Sequence, residues 1–208
     1  MESRRHDERN ALRLPPASRD SRRRKVGSIA LGDEAVQRFN HLLAQIAPNA
    51  PSVSADQLVT LARWLGQQPQ DQAVALLSER LVRAEHLRRM LNDSDWDVGA
   101  DTRERARMLT SYLQQVDDLI PDDQPLVGHL DDALLVELSW PAFEGETRDY
   151  ADFCRFRAAE RPRGNAAERR LAWETACLAE AALLLQRREV RSRPYAASPR
   201  LPDFIRVT

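Results

Sequence analysis

Asp117-Asp118-Leu119-Ile120-Pro121-Asp122-Asp123-Gln124-Pro125-Leu126-Val127-Gly128-His129-Leu130-Asp131-Asp132 stands between two stretches of helical periodicity and interrupts both. A residue before proline avoids the helical region, so Ile120-Pro121 forces the chain out of the preceding helix. Pro125 suits the first turn of the next one, where its missing N–H would have no intrahelical partner anyway. The side chains of Asp118, Asp122 and Asp123 are suited to accept backbone N–H bonds at the turn and at the new helix start. Gly128 leaves room for another element to come close. Such a corner belongs to a helical bundle.

Working outward, the flanks are helix after helix. Upstream, Asp33 and Glu34 open a segment whose Val36, Phe39, Leu43 and Ile46 share one side, and Pro48 and Pro51 end it. Ser54-Ala55-Asp56-Gln57 is a capping box ahead of Leu58, Leu61, Ala62 and Leu65. Gln70–Asn92 follows, with Val74, Leu77, Leu81, Ala84 and Leu91 aligned, and a fourth helix carries Ala106, Leu109, Leu113 and Val116. The fifth is expected from Pro125, with Val127, Leu130, Leu134 and Leu138 inward. That phase puts Asp131 inside the stripe and Asp132 at its edge or beyond.

A further helix is expected from about Thr147 to Ala159. The last, Asn165–Glu189, spreads Leu171, Trp173, Cys177, Leu178, Ala181, Leu184 and Leu185 over half its circumference, which predicts a central packing element. No run alternates with period two. The expected fold class is all-α: a single irregular bundle of six or seven helices over residues 29–190. A basic, mostly disordered tail (1–28) precedes it and an extended tail (191–208) follows.

The chain has 208 residues, 42% hydrophobic and 30% charged, which is the composition of one ordinary globular domain. Mean hydropathy is −0.56, and no stretch approaches the ~20 apolar residues of a membrane-spanning helix. The N-terminal residues lack the apolar run of a secretory signal. Cys154 and Cys177 lack metal-site spacing and sit in apolar helices, so buried free thiols and a reducing, cytoplasmic setting are expected. Net charge is −1 overall but partitioned. Residues 1–25 hold nine basic and four acidic side chains, 26–145 nine and nineteen, and 146–208 thirteen and nine. Self-attraction between the basic ends and the acidic middle accounts for this pattern. Contact of Arg22, Arg23, Arg24 and Lys25 with anionic membrane or nucleic acid is the alternative.

The corner resembles the YkvA-like family of bacterial helical domains of unknown function. Its signature, a helix, a D-L-I-P-D corner and a P-x-x-G-x-L-D-D helix, is matched by Tyr112, Asp118 to Asp122, Pro125, Gly128, Leu130, Asp131 and Asp132, within 112–132. The chain departs from it at Val116, where proline is usual, at Asp123-Gln124, which replace bulky apolar residues, and at His129, often tyrosine. Many relatives are more apolar here and are associated with membranes. The resemblance implies a fold element more than a function and supplies no catalytic residue; a non-enzymatic interaction or scaffold module is the leading expectation. Asp118, Pro121, Asp122, Pro125, Gly128, Asp131 and Asp132 are the motif positions, structural or partner-binding.

Two acidic groupings raise divalent-metal binding as the alternative, in a sensor or a metal-dependent hydrolase. In the corner, Asp118, Asp122, Asp131 and Asp132 with His129 have suitable donor types. In the loop from Asp93 to Glu104, the acids Asp93, Asp95, Asp97, Asp101 and Glu104 occupy positions 1, 3, 5, 9 and 12, the ligand spacing of a calcium-binding EF-hand. Its glycine, Gly99, is one place late, with Val98 at the turn position. The competing expectation is a solvated loop in which Asp101 and Glu104 form the next capping box. No glycine-rich phosphate loop, G-x-S-x-G or H-E-x-x-H is present, so the chain is expected not to be an enzyme and to need no cofactor.

Overall fold

The structure, a computed structural model, describes residues 12–16, 24–26, 29–115, 119–121, 124 and 126–192. Among these, seven α-helices dominate, and the fold class is all-α. The chain divides into two units, Met1–Arg155 and Phe156–Thr208.

The first unit begins with a short antiparallel pair, β1 (Lys25–Val26) and β2 (Ile29–Ala30). α1 (Asp33–Ile46) buries Val36, Phe39, Leu43 and Ile46, the stripe its 3.6-residue period predicts. α2 (Ala55–Gly66) starts on the full capping box of Ser54 and Gln57. α3 (Gln70–Asn92) buries Ala73, Leu77, Arg80, Ala84, Leu87 and Met90, while Val74 is exposed. The expected stripe was thus displaced around the helix, because Arg80 lies in the buried seam through an ion pair. α4 (Ala100–Tyr112) buries Ala106, Leu109 and Tyr112. Its N-cap is Gly99 without a side-chain cap, so the expected Asp101–Glu104 capping box does not form.

α5 (Leu130–Ser139) packs against α1, α3 and α4, and Leu130 through Val136 are all buried. It begins five residues later than expected from Pro125. Leu126 has φ 68°, a left-handed conformation, and Val127 O accepts from Leu130 N in a turn, so residues 126–129 do not continue as helix. A 3₁₀ turn (Trp140–Ala142) leads to α6 (Glu144–Glu160), whose Phe153 is buried against the ring of Trp96.

The described parts of segment 1–28 are docked rather than free of the bundle. Leu12 and Val26 are buried, Gln57 Nε2 donates to Pro15 O at 2.7 Å, and exposed Arg24 pairs with Asp33. Arg22 and Arg23 lie outside the described residues, and Lys25 is exposed on β1.

In the second unit, α7 (Ala166–Ser192) follows Gly164, whose φ of 105° suits glycine. A Cβ there would also collide with Glu168 Oε2. Asn165 Oδ1 accepts from Glu168 N at 3.0 Å, and Glu168 Oε2 accepts from Asn165 N at 2.8 Å, a reciprocal cap. α7 is not the central packing element its wide apolar arc predicts. None of its residues is buried, and Leu171, Leu178, Leu183, Leu184, Leu185 and Val190 are 55–72% exposed. Trp173 and Cys177 are half-buried, as is Cys154, so neither thiol is fully enclosed. The helix continues to Ser192; residues 193–208 lie outside the described residues. Among the described residues no helix is long and apolar enough to cross a membrane.

Candidate functional site

Beyond Tyr112, at the end of α4, the chain returns as Leu119 and Ile120, both buried. Their backbone N–H groups point into the protein and need an acceptor, because an unpaired buried donor costs about 1–3 kcal/mol. Asp131, in the first turn of α5, supplies it. Its Oδ2 accepts from Leu119 N at 3.1 Å, Ile120 N at 3.2 Å and Tyr112 Oη at 2.8 Å. The tyrosine oxygen also accepts from Leu119 N at 3.4 Å. One carboxylate oxygen therefore ties the end of α4, the corner and the start of α5 together. Negative charge in a helix's first turn also meets the positive end of its dipole.

The same carboxylate is wholly buried, and this outweighs its donors. Burial pushes its pKa from the ordinary 3.8 up to about 7, opposed by the Tyr112 hydroxyl and the Ile120 N–H and reinforced by neighbouring Asp132. Oδ1 has no hydrogen-bond partner among the described residues. Asp132, expected at the edge, is buried too at 4% exposure, and half-exposed His129 approaches it, Nδ1 to Oδ2, at 3.5 Å. The reason is packing all round: every residue from Leu130 to Val136 is buried, so the first turns of α5 have no exposed edge.

Of the other motif positions, Gly128 is buried and Pro121 half-buried, while Asp118, Asp122 and Pro125 lie outside the described residues. A half-open cleft of about 180 Å³ beside the corner is lined by Phe39, Tyr112 and Leu119 among others, and Asp131 does not reach it. The arrangement can hold or release a proton near neutral pH. Among the described residues it brings no nucleophile or substrate-sized space to that proton.

The Asp93–Glu104 loop is organised by packing. Trp96 and Val98 are buried, and Trp96 Nε1 donates to Glu146 at 2.9 Å. Asp93 accepts from Asp95 N at 2.9 Å and from Tyr150 Oη at 2.9 Å, tying the end of α3 to α6. Burial pushes the Tyr150 hydroxyl's pKa well up, and neighbouring Cys154 and that Asp93 carboxylate add to it. Asp97 is exposed and pairs with Arg103 at 3.3 Å, while Asp101 and Glu104 lie on α4. The five acids do not converge: no group of three or more His, Cys, Asp or Glu suited to a metal occurs among the described residues.

A buried ionic group escaped the sequence reading. Arg80 is 1% exposed; its Nε donates to Glu137 on α5 at 2.9 Å, and its Nη1 donates to Leu76 O and Glu79. Arg83 reaches the same Glu137 at 3.4 Å and stacks over the Trp140 ring, 5.6 Å from its centre. The signal was available: Ala73, Leu77, Arg80, Ala84 and Leu87 alternate spacings of four and three, which places an arginine in an apolar seam.

The chain matches no known family, no curated protein and no solved structure with which it was compared.

Proposed function

We propose that this chain is a non-enzymatic interaction or scaffold module, a YkvA-like corner built into a helical bundle and working in the cytoplasm. The observation that carries this reading is the long helix α7, which displays leucines outward instead of burying them. Exposed apolar surface concentrated on one element commonly marks a protein contact. Of the acidic motif, buried Asp131 holds the corner's backbone N–H groups and, among the described residues, faces no substrate-sized space. The test is retention of a partner from the native host on immobilised full chain. The expected result is a defined partner lost with Leu178→Glu and kept with Asp131→Asn. A partner set indifferent to Leu178→Glu, or no retention at all, overturns the reading.

A further inference from the structure

α3 is pinned at two places to the segment formed by the 3₁₀ turn and α6. At the first, the Arg83 guanidinium lies over the Trp140 ring, 5.6 Å from its centre. At the second, Tyr150 Oη donates to Asp93 at 2.9 Å. Arg83 and Asp93 stand ten positions apart, as do Trp140 and Tyr150. Ten residues of helix span about 15 Å. Half-buried Trp140 and Tyr150 line a half-open cleft of about 550 Å³, a volume suited to a small molecule. His86 and Arg89, which fall between the two pinned positions of α3, line it too. Thr147, Arg148 and Ala151 line it from one side of α6. All of these residues belong to the first unit.

We propose that this cleft binds a small aromatic molecule carrying a carboxylate. The charge of the lining calls for the carboxylate. Arg89 meets Glu85 through Nε at 3.2 Å, and Arg148 approaches Asp149 through Nε at 3.9 Å. Among the described residues, the terminal nitrogens of both guanidinium groups have no acceptor, and neither does the His86 ring. Glu144 is the acidic side chain of the lining, so two arginines against one glutamate leave a net charge of +1 with His86 neutral. A guanidinium presents its terminal N–H groups as a fork that matches a carboxylate's two oxygens.

The walls call for the aromatic body. The largest apolar surfaces of the lining are the indole of Trp140 and the phenol ring of Tyr150, and planar rings pack well against both. Each is already held, Trp140 by Arg83 and Tyr150 by Asp93, and neither of those two holders lines the cleft. The aromatic walls are therefore in place before a ligand arrives, and little side-chain freedom is lost on binding. Thr147 and Ala151 are small, which leaves width for a flat ring.

Calorimetric titration of the full chain with 2-naphthoate tests this, beside its neutral analogue 2-naphthylmethanol and the aliphatic octanoate. The expected result is a single saturable site for 2-naphthoate with Kd below about 1 mM. The alcohol and octanoate should bind about tenfold more weakly or worse. Arg89→Gln and Arg148→Gln should each weaken 2-naphthoate by about threefold or more. Melting should not change, since these two side chains are 65% and 74% exposed. Ala151→Trp, at an exposed position, should fill the cleft and abolish binding with both arginines kept. Leu178→Glu on α7 should leave binding as it was. No saturable binding of 2-naphthoate overturns the proposal, and so does binding that survives Ala151→Trp. Equal affinity for the alcohol, or indifference to both arginine variants, overturns the carboxylate. Octanoate binding as tightly as 2-naphthoate overturns the aromatic body. Loss of binding with Leu178→Glu moves the ligand to α7 and overturns the cleft.

Discussion

α5 and α7 both carry dense apolar runs, L-D-D-A-L-L-V-E-L-S and A-C-L-A-E-A-A-L-L-L, and they end in opposite places. α5 is ten residues long and buries eight of them, two of which are aspartates. α7 is 27 residues long and buries none. Apolar content alone does not decide which helix a bundle forms around. α5 is anchored at its start by the Asp131 bonds to the corner and at its far end by Glu137 to Arg80, and it has α1, α3 and α4 around it. α7 has a local cap at Asn165 and an apolar side left open.

The widest gap between the two helices is expected at Glu137. Glu137→Ala leaves the Arg80 guanidinium buried without its main partner. Breaking one side of such a pair costs about 3–5 kcal/mol. Replacing both partners by apolar residues, as in Arg80→Met with Glu137→Leu, should recover most of this, measured by denaturant unfolding. If Glu137→Ala costs under 1 kcal/mol, the anchor at the far end of α5 is not one. Leu134→Ala, at a fully buried site, should cost about 2–5 kcal/mol by the same measurement.

Asp131 sharpens the comparison through pH. Its folded pKa of about 7 lies above the ordinary 3.8, so between those values the folded chain binds more protons than the unfolded one. Stability therefore falls as pH rises through about 4 to 7 and levels off above that, by on the order of 2–4 kcal/mol from this group. Asp131→Asn should remove that slope. Asp131→Ala strands the Leu119 and Ile120 N–H groups and the Tyr112 hydroxyl, costing about 1–3 kcal/mol at pH 5 and less at pH 8. An equal cost at both pH values would mean the carboxylate ionises normally inside the fold.

Local grammar was legible, and long-range choice was not. The α1 stripe, the Ser54 capping box and the inward turn of Asp131 follow from spacing, because each depends on residues a turn or two away. Asp132 is expected at an edge because a stripe assumes one buried side, whereas the first turns of α5 are buried all round. Arg80 was missed because an arginine counts as polar until Glu137, 57 residues away, neutralises it in the interior. The burial of Leu12 against the bundle depended likewise on distant partners. Of the corner's acids, Asp131 could be assigned from the pattern because the chain must bond those N–H groups to something.

The smallest expected effect is the plainest check on α7. Leu183 is 55% exposed, so it belongs to no core. Leucine and alanine are both good helix formers, so Leu183→Ala leaves helix propensity nearly unchanged. Substitutions at such positions fall within about 0.5 kcal/mol of zero. Chemical unfolding of Leu183→Ala beside Leu134→Ala should thus separate two identical deletions by at least about 1.5 kcal/mol. The comparison uses the same chemistry at both sites, so differences in side-chain transfer cancel and burial alone remains. Should Leu183→Ala cost as much as Leu134→Ala, α7 is packed on that side in solution, and the contrast between the two helices fails at its root.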